Sequence, residues 1–268
     1  MMEFPKTPTG KVLEVVIAVT REKMKSNPEL VEVMEDLLLF TGLSEDEVFL
    51  RIARKPRGVW GAKGWFYEEW DFHAPVSPAE IEWFYRTAQS YIFTNARHPS
   101  WDQLHKVTEG PILDFGGGAA MNTLALLKRE FDVIYHDLGT LQTEFATMRC
   151  KRHGYEQKCG IPLRDQNFAT IKGVRTWHIG DETIATVVAQ DVLEHLPDYR
   201  PTLLNLIRVL KPGGCILERS PFKPAGRKRG IPMHMEAPVP LRKVMMANGM
   251  KMEWKGQYNA QLWRKVVK

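Results

Sequence analysis

Residues 112–120, Ile-Leu-Asp-Phe-Gly-Gly-Gly-Ala-Ala, carry an apolar strand through Asp114 into three consecutive glycines and on toward a helix. No other stretch limits the fold as much. A strand ending in a carboxylate and followed by bare backbone lets a charged nucleoside approach the main chain. Glycine supplies the φ/ψ values that such a turn needs. Asp114 can accept from a cationic or hydroxyl-bearing ligand, or can hold the loop itself. Taken alone, the pattern suits more than one class of nucleotide ligand.

From residue 110 onward the chain alternates strand and helix. The reading places strands near 111–115 and at Val133–His136, the second ending in Asp137, with helices near 119–130 and 140–152. The continuous apolar run Ile184–Ala189 predicts a central parallel strand. A helix near 199–210 follows, then Lys211-Pro-Gly-Gly214 as a turn and a strand over Cys215–Glu218. A helix near 239–248 and strands near 251–257 and 260–267 close the chain. The third strand lies either near Tyr155–Ile161 or near Val174–Ile179. The alternation predicts a doubly wound, mostly parallel α/β sheet of seven strands, Rossmann-like.

Before residue 110 the pattern is helical. Asn27-Pro28-Glu29 offers a cap and a first-turn proline ahead of Leu30, Met34, Leu37 and Leu38 at helical spacing. Thr41-Gly42 stops that helix, and Ser44 with Glu47 forms a capping box for the next. Ser77-Pro78-Ala79-Glu80 opens a third, with Ile81, Phe84, Tyr85, Ala88, Tyr91 and Ile92 on one stripe. Between these helices, Trp60 to Phe72 is dense in aromatics. Such rings either plug the seam to the next domain or form a substrate wall, with Trp65, Tyr67 and Trp70 as the stacking residues. The expected division is a helical, aromatic-rich cap over 1–104 and a catalytic domain over 105–268.

Two cofactors compete for the glycine loop. A dinucleotide fingerprint asks for a glycine three residues after Gly118, where this chain has Met121. Asp137, about 20 residues beyond the glycines, suits a ribose hydroxyl in either class. The later motifs separate them. Asp191-Val-Leu-Glu-His-Leu-Pro-Asp198 directly follows the central strand, and Leu210-Lys-Pro-Gly-Gly214 follows the next helix. With these segments, residues 105–267 resemble the class I S-adenosylmethionine-dependent methyltransferases, in particular the branch acting on small molecules.

The resemblance implies that Asp114, Gly116, Gly117 and Gly118 cradle the methionine part and ribose, with Asp137 and Leu138 at the end of the second strand. It places Gln190 and Asp191 near the methyl group. Ala120 stands where the family often has a further glycine, and the acid that meets the adenine amino group is open between Asp165 and Asp181. The family's Asn/Asp-Pro-Pro-aromatic signature for amino groups on bases or glutamine is absent at 190–193.

Methyl transfer needs a base only if the nucleophile must lose a proton. His195 is the residue for that role, with Asp191 beside it; the alternative is that His195 orients the loop or packs beneath the cofactor. Asp191, Glu194 and His195 stand at i, i+3 and i+4, a spacing that can ligate a divalent ion if helical. No metal is assigned. The loop Pro221–Glu236, with Arg227, Lys228, Arg229 and His234, belongs to the carboxyl edge of the sheet, and His234 is the acceptor contact expected there.

A net charge of +5 is mild, which speaks for a small-molecule acceptor with an O or N nucleophile over nucleic acid. A cofactor-binding subunit that has lost catalysis is a further alternative. Three cysteines in no paired spacing point to a reduced, cytoplasmic setting, and the early apolar run Val12–Val19 is too short to span a bilayer. The oligomeric state is open, a homodimer being one option.

Overall fold

The computed structural model describes residues 11–53, 91–96, 98–137, 140–156, 159–160, 169–171, 174–176, 179–196, 198–222 and 234–267. The expected aromatic wall of Trp65, Tyr67 and Trp70 lies outside the described residues, as do Leu138, Asp165 and the basic run Arg227–Arg229. So does the Ser77–Glu80 helix start.

The central sheet follows the alternation read from the sequence. Its strands are β1 (Ile112–Phe115), β2 (Val133–His136), β3 (Cys159–Gly160), β6 (Ile184–Gln190), β7 (Leu210–Arg219), β8 (Met250–Lys255) and β9 (Gln261–Lys265). They lie in the order β3-β2-β1-β6-β7-β9-β8. The five from β3 to β7 pair in parallel, and β9 runs antiparallel to both β7 and β8. Strands β4 (Ala169–Ile171) and β5 (Val174–Thr176) form a separate antiparallel pair. The third strand of the main sheet is therefore the earlier of the two alternatives.

One sequence boundary moves. Lys211–Gly214 is not a turn ahead of the strand but an excursion within β7: Ile184 pairs with Leu210, and two residues later Thr186 pairs with Cys215. The glycines make this possible. Gly213 sits at φ +77°, and a Cβ on Gly214 would lie 2.8 Å from the Ala185 carbonyl oxygen.

The period of two along each strand feeds two separate cores. On one face Ile112, Val133, Tyr135, Val188 and Leu217 pack with Leu124 and Leu127 of the helix Met121–Leu127. On the other, Leu113, Phe115, Val187, Ala189 and Ile216 pack with Leu203 and Leu206 of the helix Arg200–Val209. Asp114 is the polar exception in β1.

The amino-terminal helices α1 (Lys11–Lys25), α2 (Pro28–Thr41) and α3 (Glu45–Ala53) share a third core with Ile92, Phe93, Ala119, Leu141 and Phe145. Their ends follow the expected chemistry. Asn27 accepts from the amides of Glu29 and Leu30, Gly42 closes α2 at φ +68°, and Ser44 and Glu47 exchange hydrogen bonds. The helix Thr140–Arg152 is tied to α2 by a buried ion pair between Arg149 Nε and Asp36 Oδ2 at 2.6 Å. Among the described residues, no helix is long and apolar enough to cross a membrane.

Candidate active site

The strand order reverses between β1 and β6, and the loops leaving their carboxyl ends meet there. In doubly wound sheets this crevice is where ligands bind. The loop after β1 holds the three glycines, and the loop after β6 holds Asp191 to His195.

Each glycine is demanded by a neighbour. A Cβ on Gly116 would lie 2.6 Å from Val192 Cγ2, and the residue sits at φ +72°. One on Gly117 would meet the Tyr135 ring at 2.6 Å, and one on Gly118 would meet Asn95 Nδ2 at 2.5 Å. The backbone is thus pressed against protein on the inside and presents a side-chain-free surface to the crevice. Gly118 N donates to Asp137 Oδ2 at 2.9 Å, which sets the second-strand carboxylate across the loop. A bare turn with a carboxylate at its rim fits a nucleoside whose ribose hydroxyls need an acceptor.

Asp114 takes the loop-holding role. It is buried and accepts from Thr123 Oγ1 at 2.5 Å, which anchors the first turn of the following helix. Burial raises its carboxyl to about 6, with Thr123 opposing and Asp137 adding to the rise. Ala120, where the resemblance expects glycine, is in the left-handed region at φ 57° with no exposed surface. The backbone geometry a glycine would serve is kept, at a steric cost of about 1–2 kcal/mol.

On the other wall, Gln190 Oε1 accepts from Asn122 Nδ2 at 3.0 Å, and Asn122 Oδ1 accepts from Trp101 N at 2.8 Å. Asp191 is at φ 53° and is held by Arg219 through a double hydrogen bond, Nε to Oδ1 at 2.8 Å and Nη2 to Oδ2. The Arg219 guanidinium lies over the Trp101 ring, 5.8 Å from its centroid. The partners of Gln190 and Asp191, Asn122 and Arg219, and the Trp101 that both of these touch, lie too far along the chain for local spacing to signal them.

Beyond Asp191 the chain makes a single 3-10 turn, Leu193–His195, so the i, i+3, i+4 face of an α-helix does not form. The structure gathers a different set. His234 joins Glu194 and His195: the two imidazoles meet edge to face with centroids 4.8 Å apart, and Met235 N donates to Glu194 O at 2.6 Å. Glu194 is fully buried; burial first, then Asp191, pushes its carboxyl up to about 9. Glu218, also buried, is pushed up to about 8. His195 and His234, named from separate segments, thus share one corner of the crevice with Gln190 and Asp191.

Asp181 does not reach this corner. It precedes β6 at the amino edge of the sheet and pairs with Arg208, away from the crevice.

The methyltransferase domain family matches residues 113–217. No curated protein matches the chain. Among solved structures, a SAM-dependent methyltransferase from Aquifex aeolicus is similar at TM-score 0.48 and 16% identity, over 72% of this chain and 100% of that one. A SAM-dependent methyltransferase from Methanosarcina mazei gives TM-score 0.47 and 15% identity, over 64% and 100%. The [4+2]-cyclase SpnF gives TM-score 0.47 and 14% identity, over 59% and 74%.

Proposed function

Through residues 113–217 the chain belongs to the class I S-adenosylmethionine-dependent methyltransferases, and from that premise we propose that it methylates an oxygen or nitrogen of a small molecule. The observation that carries this reading is the bare glycine turn facing Asp137 beside the corner built from Gln190, Asp191, Glu194, His195 and His234.

When bound, S-adenosylmethionine supplies an activated sulfonium methyl, so orientation of the acceptor accounts for much of the acceleration. Gly116–Gly118 and Asp137 hold the nucleoside. Gln190, braced by Asn122, and Asp191, braced by Arg219, fix the wall between donor and acceptor. His195 and His234 retain only 13% and 12% of their side-chain exposure, which supports a small acceptor entering the corner over a surface-bound macromolecule. The segment 1–104 is assigned acceptor recognition and 105–268 the transfer itself.

Incubation of the protein with methyl-labelled S-adenosylmethionine and a cell extract, followed by size fractionation, tests this. Label should appear in a low-mass product that mass spectrometry identifies. Label confined to the nucleic-acid or protein fraction overturns the small-molecule reading.

A further inference from the structure

The glycine loop is held from behind through its carbonyls. Ala120 N donates to Gly117 O at 2.8 Å, Tyr135 Oη to Gly118 O at 2.8 Å, and Arg149 Nη1 to Ala119 O at 2.6 Å. The first donor belongs to the loop and the second to β2. The third reaches in from the helix Thr140–Arg152, and what places it lies outside the sheet.

Arg149 is buried, and a buried guanidinium needs a carboxylate, because an unpaired charge out of water is costly. Asp36 of α2, with no exposed surface, supplies it: Arg149 Nε donates to Asp36 Oδ2 at 2.6 Å. Arg152 Nη1 donates to Oδ1 of the same carboxylate, and His153 Nε2 lies 3.1 Å from Oδ2. Glu32, one turn earlier on α2, stands 3.6 Å from Arg149 Nη2 and accepts from Lys128 Nζ at 2.6 Å. Lys128 closes the helix that leaves the glycine loop. One acidic face of α2 therefore grips both helices that flank the loop and, through Arg149, the loop itself.

The carbonyl that Arg149 holds belongs to the peptide joining Ala119 to Ala120, and Ala120 is the non-glycine residue at φ 57°. Fixing that peptide plane fixes the rotation at Ala120, which a side chain disfavours. A charged donor makes a stronger hydrogen bond than a neutral one and suits this task.

We propose that Asp36 and Arg149 are positioning residues for the methyl donor: α2 sets the affinity of the glycine loop for S-adenosylmethionine through the link Asp36–Arg149–Ala119. Released from Arg149, Ala120 returns toward negative φ and turns the bare surface of Gly116–Gly118 with it. The amino-terminal helices are then part of the donor site, besides their assignment to the acceptor. The inference rests on the donor site and is independent of the acceptor's class. Glu32, Asp36 and His153 have the composition of a metal site, but Arg149, Arg152 and Lys128 already occupy the carboxylates, which makes the group a clamp.

The test is calorimetric titration of S-adenosylmethionine at a temperature where circular dichroism shows each variant folded. Arg149→Lys keeps the charge but cannot reach Asp36 and Ala119 O together. It should weaken donor binding at least tenfold, as should Asp36→Asn, and the double variant should be no weaker than the weaker single one. Val48→Ala thins the same amino-terminal core from α3. It should lower the thermal midpoint and leave donor affinity at the wild-type value, which separates positioning from stability. In the wild type, saturating donor should slow amide hydrogen exchange in α2 as well as in the glycine loop. This second measurement decides the matter if a clamp variant does not fold. Wild-type affinity in folded Arg149→Lys, losses that add in the double variant, an equal loss in Val48→Ala, or α2 exchange that ignores the donor overturns the proposal. Wild-type protein that binds no S-adenosylmethionine overturns the donor site together with it, whereas unchanged affinity in the variants overturns the clamp alone.

Discussion

Arg219, at the end of β7, grips both carboxylate oxygens of Asp191 and so joins the two strands that floor the crevice. The grip fixes a left-handed residue at the mouth of the loop. Arg219→Lys keeps the charge but cannot make the planar double contact or the stack on Trp101. It should cost about 1 kcal/mol of stability, given that both side chains are partly exposed. Turnover should fall on the order of tenfold through misplacement of the wall, with S-adenosylmethionine affinity held. Chemical denaturation and steady-state kinetics read the two effects.

The glycine loop makes a steric prediction with a built-in rescue. At Gly116 the added Cβ runs into Val192 and not into the ligand's space. Gly116→Ala should therefore lose donor affinity by displacing the loop. Adding Val192→Ala should restore part of it. The remainder reflects the Cβ of residue 192, still 2.9 Å from the added atom, and the positive φ, worth about 1–2 kcal/mol for a non-glycine residue. Calorimetric titration of the single and double variants tests the order; a double variant no better than the single contradicts the packing argument.

Asp114 should leave a signature in acid stability. Its folded carboxyl titrates at about 6 against 3.8 unfolded, so the folded state holds the proton more tightly. Stability from this group is gained as pH falls through 6 and is fully present below about 4; at neutral pH the buried charge opposes folding. Asp114→Asn removes this dependence. The stability difference, variant minus wild type, should therefore drop by about 2.4 kcal/mol between pH 7 and pH 4, most of the roughly 3 kcal/mol that the full shift carries at 1.36 kcal/mol per unit. Urea denaturation at the two pH values measures it, and a difference that does not change contradicts the assignment.

The buried pair Asp36 and Arg149 anchors the amino-terminal helices to the helix Thr140–Arg152. Asp36→Ala leaves Arg149 buried at 1% exposure without its main partner. A loss of about 3–5 kcal/mol is expected, seen as a lowered denaturation midpoint. Glu35→Ala, which removes only a partly exposed contact to Arg152, should cost less than about 1 kcal/mol.

Much of this architecture was legible because local chemistry specifies it. The runs Ile112–Phe115, Val133–His136 and Ile184–Gln190 are apolar and bounded by turn residues, and Asn27, Gly42 and Ser44 mark helix ends by mechanism. Lys211–Gly214 misled because Pro-Gly-Gly usually breaks a strand, whereas here the glycines let the excess residues bulge while pairing resumes at Cys215. The site was legible in parts and not in its wiring. Gly116–Gly118, Asp137, Gln190, Asp191, His195 and His234 can be named from motifs. That Arg219 holds Asp191, that Asn122 holds Gln190, and that His234 closes on Glu194 depend on contacts across 28, 68 and 40 residues of chain. Nothing in a linear pattern marks which of 37 basic residues will meet one carboxylate.

The central claim is that the loop after β1 and the acid after β2 hold the methyl donor. Asp137 sits across that loop and accepts from the Gly118 amide, and the proposed reading gives it the ribose hydroxyls. Calorimetric titration of S-adenosylmethionine into wild-type protein and into Asp137→Ala tests the claim most directly. One site per chain is expected in the wild type, with affinity at least tenfold weaker in the variant, a difference of about 1.4 kcal/mol or more. Equal affinity in a folded Asp137→Ala protein would contradict it.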